Sequence, residues 1–160
     1  MSESNKLKFE DVDLDILKIL SQDGRKTYHA ISDELGKSPV TIKKHIEDLV
    51  DNGIIKNYGV QIDYEKLGFT IIAIIEVTIS KGKMFDVEEK IAQYPNIFAV
   101  YDITGTYDAL VFARFKSRDD LSKMIKKFHQ SPYVERTNTH IVLNVIKEES
   151  SLVNLLENES

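Results

Sequence analysis

Residues 37–45 gather Lys37, Ser38, Lys43, Lys44 and His45, side chains that can hold a phosphodiester backbone through ammonium, hydroxyl and imidazole groups. Interleaved with them, Pro39, Val40 and Thr41, together with Lys44, have the sizes and reach to meet base edges from the first turns of a helix. A second constellation is Gly105-Thr106-Tyr107-Asp108. Its glycine can take a positive φ and let a ligand approach the backbone, while hydroxyl and carboxylate groups stand beside it. A plain hairpin turn with a solvated Asp108 accounts for the same residues. Chemistry of other kinds is missing. The four histidines, His29, His45, His129 and His140, stand singly and no cysteine accompanies them, so neither a metal site nor thiolate chemistry is expected. The chain contains no phosphate-binding glycine loop, no dinucleotide fingerprint and no nucleophile elbow. The acidic pairs Glu88-Glu89 and Asp119-Asp120 fall where helix dipoles and solvation explain them. The expectation is a protein that is not an enzyme and holds no cofactor.

The first constellation needs a helix to carry it, and the spacing supplies one. Val12, Ile16, Leu17, Ile19 and Leu20 recur at helical intervals behind Asp11 and Asp13 as candidate N-caps, and Gly24 ends that segment. Thr27 caps a short second helix bearing Ala30, Ile31 and Leu35, stopped by Gly36. After Gly36-Lys37-Ser38 a third helix is predicted over Pro39–Asp51, with Ser38 as N-cap, Pro39 in the first position and Asn52-Gly53 as the stop. Ile42, Ile46 and Leu49 face inward, so Val40, Thr41, Lys44, Glu47 and Asp48 spread outward with Lys43 and His45 on the flanks. These lengths suit a DNA-binding helix-turn-helix; a three-helix bundle with a solvated polar face fits them as well. Short extended segments are expected at Ile54-Ile55 and Tyr58–Ile62.

The second constellation needs a sheet. Phe69–Ser80 alternates as a strand, and a helix follows with Met84, Val87, Ile91 and Tyr94 on one face. Strands Ile97–Ile103 and Asp108–Lys116 flank the glycine turn. A helix bearing Leu121, Met124, Ile125 and Phe128 and a long last strand, Val134–Lys147, complete a βαββαβ order. The fold class is therefore α+β: a helix-turn-helix domain over 1–56, a linker strand and hinge over 57–68, a ferredoxin-like sandwich over 69–148 and an acidic tail over 149–160.

Two helices cover one face of such a sheet, yet both faces are apolar. Ile72 and Ile74 oppose Ile71 and Ala73, Phe98 and Val100 oppose Ile97 and Ala99, and Leu110 and Phe112 oppose Val111 and Ala113. Burial of the second face against another copy is expected. Charge points the same way. The net charge is −5, and only residues 37–56, with four Lys/Arg against three Asp/Glu, are net positive. A single unit so weakly basic would hold DNA poorly, so tight binding calls for an oligomer. With no leader-like apolar run at Met1–Asn5 and a longest apolar run of only Ile71–Ile75, no membrane span is expected and the chain is assigned to the cytoplasm.

The string Asp11-Val-Asp-Leu-Asp-Ile-Leu-Lys-Ile-Leu-Ser-Gln-Asp-Gly-Arg25, the run from Gly36 to Leu49 and Gly53-Ile-Ile55 resemble the Lrp/AsnC (leucine-responsive, feast/famine) transcription regulators. So do Gly105-Thr-Tyr-Asp108 and the stretch holding Pro132, Val134, Thr137 and Thr139. The resemblance runs from about Glu10 to Lys147. It implies promoter binding by dimers that assemble into tetramers or octamers, and a small effector, often an amino acid, between dimers. A zwitterion needs donors and acceptors, and Asp108 can meet its ammonium, with Tyr101, Thr137, Asn138 and Thr139 as further candidates. The chain departs from the family at His45, where arginine is frequent, at Thr106, where aspartate is usual, and at Tyr133, where glycine is common. A non-specific architectural DNA-binding protein and a metabolite-sensing module without DNA binding are the alternatives.

Overall fold

The computed structural model describes residues 9–80, 82–148, 152 and 155. Of the tail assigned to 149–160, all but Leu152 and Leu155 lies outside the described residues, as do residues 1–8 of the first domain. The chain forms two compact units that divide between Gln61 and Ile62.

The N-terminal unit is three helices: α1 (Asp11–Gln22), α2 (Tyr28–Leu35) and α3 (Pro39–Asp51). The N-cap of α1 is Glu10 rather than Asp11 or Asp13. Asp13 works from inside the helix: its carboxylate turns back to accept the Glu10 N–H at 2.9 Å, as the third residue of a capping box does. Thr27 caps α2 by accepting the Ala30 N–H, and Gly36 ends it in the left-handed region at φ 61°. Ser38 caps α3 through the Thr41 N–H at 3.1 Å. Ile16, Ile31 and Ile42 are completely buried at the centre of the unit, one from each helix, with Ile46 and Leu49 beside them. Replacing one such isoleucine by alanine costs about 2–5 kcal/mol, a large part of what a unit this small holds in reserve.

No strand forms over residues 54–70. Ile54 and Ile55 both donate their N–H groups to the Leu49 carbonyl, closing the end of α3 and ending any extended run there. Tyr58–Ile62 pairs with no strand among the described residues, and 64–68 is a series of turns.

The C-terminal unit contains β1 (Ile71–Ile79), α4 (Met84–Ala92), β2 (Ile97–Asp102), β3 (Ala109–Phe115), α5 (Arg118–Phe128) and β4 (Val134–Ile141). The strands lie in the order β2-β3-β1-β4, every pair antiparallel. Ala73, Ile75, Val77 and Ile79 of β1 and Ala109, Val111, Ala113 and Phe115 of β3 are buried against Val87 and Ile91 of α4 and Leu121, Met124 and Phe128 of α5. The last strand stops at Ile141, not Lys147, because its partner runs out: the Val142 N–H meets the Ile72 carbonyl at 2.9 Å, and β1 begins one residue earlier.

A bulge in β2 changes the expected division of its side chains. Ile97 pairs with Ala113 and Ala99 with Phe112, so Phe98 is an extra residue. Val100 consequently joins Ile97 on the helix side, while Phe98, Ala99 and Tyr101 share the open face. There Phe98 and Tyr101 pack on Phe112, with ring centroids 6.1 and 5.7 Å away.

Candidate nucleic-acid interface and effector turn

The α3 N-terminus is built to stay open. Its cap and proline fix the first turn without calling on another element, and the inward stripe Ile42, Ile46, Leu49 makes the buried apolar contacts. Lys37, Ser38, Val40, Lys43 and Lys44 are exposed, Val40 to 77%, and Pro39 and Thr41 are half-buried. Thr41 and Ser38 share a hydrogen bond between their hydroxyls at 2.8 Å, so these two side chains are already ordered. Lys43 lies 3.5 Å from Glu47 one turn along, an exposed pair of little energetic weight. Among the described residues neither Lys37 nor Lys44 makes an ion pair.

His45 is placed differently from the other flank residues. Its Nδ1 stands 2.7 Å from Asp13 Oδ1, and both side chains are largely covered, at 19% and 13% exposure. Asp13 thus holds the start of α1 with one oxygen and the middle of α3 with the other. Spacing along α3 shows His45 on a flank; it carries no sign of a partner thirty-two residues away.

In the C-terminal unit Gly105 sits at φ 127°, backbone that side-chain-bearing residues rarely adopt. The turn is tied down through Asp108. Its carbonyl accepts the Ile103 N–H at 2.9 Å, its own N–H reaches the Val77 carbonyl at 3.0 Å, and its Oδ2 accepts the Ile79 N–H at 2.7 Å. The β1–β3 ladder ends at the Val77–Ala109 pair, so the carboxylate supplies an acceptor for the Ile79 N–H just beyond its last rung. One oxygen of Asp108 is therefore committed to the scaffold.

The remaining effector candidates do not converge. Thr137 and Thr139 pair with Val77 and Ile75 on the helix side, and Thr137 shares a hydrogen bond with His129 Nε2 at 2.9 Å. Tyr101 and Asn138 lie on the open face, where Asn138 donates to Glu76 at 2.7 Å and His140 Nε2 is 3.2 Å from the same oxygen. These bonds, with Arg136 nearby, hold the Glu76 carboxyl below its ordinary range. Glu88 of α4, which helix dipole and solvation were expected to explain, is not fully solvated. Its Oε1 is sealed from solvent without a hydrogen-bond partner, and burial first, then Asp102 and Asp108, push its pKa up. The available signal was position: Glu88 follows Val87 and lies four after Met84, at the margin of the apolar stripe. Among the described residues no group of three or more His, Cys, Asp or Glu side chains is arranged for a metal ion, and no helix is long and apolar enough to cross a membrane.

Two family models match the chain: a winged helix-turn-helix DNA-binding model over residues 9–56 and the Lrp/AsnC ligand-binding domain over residues 72–152. An uncharacterized HTH-type transcriptional regulator of Pyrococcus furiosus is 37% identical over 146 residues, covering 91% of this chain and 99% of its own. The HTH-type transcriptional regulator FL11 of Pyrococcus horikoshii is 36% identical, covering 92% and 97%. A solved transcriptional regulator of Neisseria meningitidis, in complex with L-Met, superposes with a TM-score of 0.82 at 27% identity, covering 93% of this chain and 99% of that one. Both halves and the nearly full-length relatives agree: this chain belongs to the Lrp/AsnC family of DNA-binding transcription regulators.

Proposed function

We propose that the chain reads a pseudo-palindromic promoter site as a dimer, with α3 of each copy in the major groove. Pro39, Val40, Thr41 and Lys44 meet base edges, and Lys37, Ser38, Lys43 and His45 hold phosphates. The observation that carries this is the exposed N-terminal half of α3, mounted on a core that uses only its opposite stripe. Dimerisation is supported by the open sheet face, where Phe98 and Tyr101 are 44% and 55% exposed. The unpaired segment Tyr58–Ile62, in which Tyr58, Val60 and Ile62 are exposed, supports it too. Further assembly to tetramers or octamers belongs to the same proposal.

For the effector we propose a small amino acid at the Gly105–Asp108 turn, its ammonium facing the carboxylates of Asp108 and Glu88. The L-Met carried by the similar Neisseria regulator supports that ligand class. Thr106, Tyr107 and Thr137 border the turn; Tyr101, Asn138 and Thr139 lie farther around the sheet.

Selection of bound DNA from a random pool, with and without an amino-acid mixture, tests both parts. The expected outcome is an enriched motif with two half-sites about one helical turn apart, altered in strength by one amino acid or a few. Recovery of unenriched sequence overturns site-specific reading in favour of an architectural role.

A further inference from the structure

His45 has one nitrogen committed and one free. Asp13 is fixed by the Glu10 N–H at 2.9 Å and can only accept, so Nδ1 carries a proton and donates to it. Nε2 has no partner among the described residues, and it is not sealed from solvent. In the neutral ring that nitrogen is a bare acceptor and repels a phosphate oxygen; in the imidazolium it is a charged donor. The charged group facing the ring is Asp13 on α1; among the described residues no other charged side chain of α1, α2 or α3 pairs with it.

We propose that His45 is a proton-linked phosphate contact: the Asp13 carboxylate aims Nε2 at the DNA backbone, and the ring takes up one proton from solvent as the phosphate docks. The inference rests on the assignment of α3 to DNA, and it adds what an arginine at this position would lack, an affinity set by pH. A lysine would be charged throughout as well. Only an imidazole changes charge between about pH 5 and 8 in the ordinary case.

The test is DNA affinity of the full chain at constant salt, measured at pH 8 and pH 6 with a fragment carrying the selected site. Expected is tighter binding at pH 6 by about tenfold for each recognition helix engaged, the scale of one charge-assisted hydrogen bond. His45→Arg should bind tightly at both values, and His45→Gln weakly at both. A pH effect of full size in His45→Gln overturns the proposal, as does equal wild-type affinity at both pH values while specific binding persists. If the wild type binds no DNA at either pH, the assignment of α3 itself has failed. NMR titration of the wild-type imidazole, free and DNA-bound, covers the case in which a variant misfolds. A midpoint that moves up on binding supports the linkage, and an unmoved one overturns it.

Discussion

Removing the Asp108 carboxylate separates a scaffold role from the proposed ligand role of the Gly105–Asp108 turn. Asp108→Ala deletes the acceptor that meets the Ile79 N–H at 2.7 Å, beyond the last rung of the β1–β3 ladder. An amide left unsatisfied there costs about 1–3 kcal/mol. Asp108→Asn keeps an oxygen in place and should cost less than about 1 kcal/mol, because a neutral acceptor still serves a neutral donor. For a domain of this size, a loss of 2 kcal/mol lowers the melting temperature by about 8–16 °C. The comparison should be made at one protein concentration, since assembly adds to apparent stability. Hydrogen exchange at the Ile79 amide gives the local reading: faster in Asp108→Ala, near wild type in Asp108→Asn. Both variants should lose amino-acid binding by calorimetry, because the charge is gone in each. Unchanged melting and unchanged Ile79 exchange in Asp108→Ala would refute the scaffold role.

Glu88, raised by burial and by Asp102 and Asp108, makes the folded state pay for its charge at neutral pH. Stability should therefore rise as pH falls through its folded pKa, and Glu88→Gln should melt higher than wild type at pH 7 but not at pH 4. Glu76 has the opposite sign: its lowered pKa stabilises above the ordinary carboxylate range, and that contribution should fade as pH falls through its folded value, so Glu76→Gln should lose stability near neutrality and less in acid. On DNA, Lys44→Ala should reduce discrimination between the selected site and random sequence by about 1–3 kcal/mol, whereas Lys43→Ala should weaken both alike and cut the salt slope by about 1 in gel-shift titrations. Phe112→Asp, on the open face against Phe98 and Tyr101, should shift sedimentation at micromolar concentration toward monomer; an unchanged coefficient would move the interface elsewhere.

Where punctuation is local, the chain announces its own structure. Ser38-Pro39 at one end and Asn52-Gly53 at the other bound α3 where the spacing places it, and the βαββαβ order follows from strand alternation and helical spacing. Features that depend on distant partners were illegible. Nothing in Phe98-Ala99-Val100 marks which residue is extra, because a bulge is decided by the register of the neighbouring strand. Tyr58–Ile62 alternates as a strand does, but one chain provides no edge for it. The same holds for the sites. The residues of the α3 N-terminus could be named because they sit together in sequence, while the Asp13–His45 bond and the enclosure of Glu88 arise only once helices pack.

The surplus residue in β2 also governs how this strand tolerates change in length. Losing one residue from a paired strand ordinarily inverts every side chain beyond the cut. Excision of Phe98 would instead bring Ile97 and Ala99 into unbroken alternation opposite Ala113 and Phe112, leaving Val100, Tyr101 and Asp102 with their present neighbours. Evolution thus has one position in β2 at which the outer surface can gain or lose an aromatic ring without re-registering the fold.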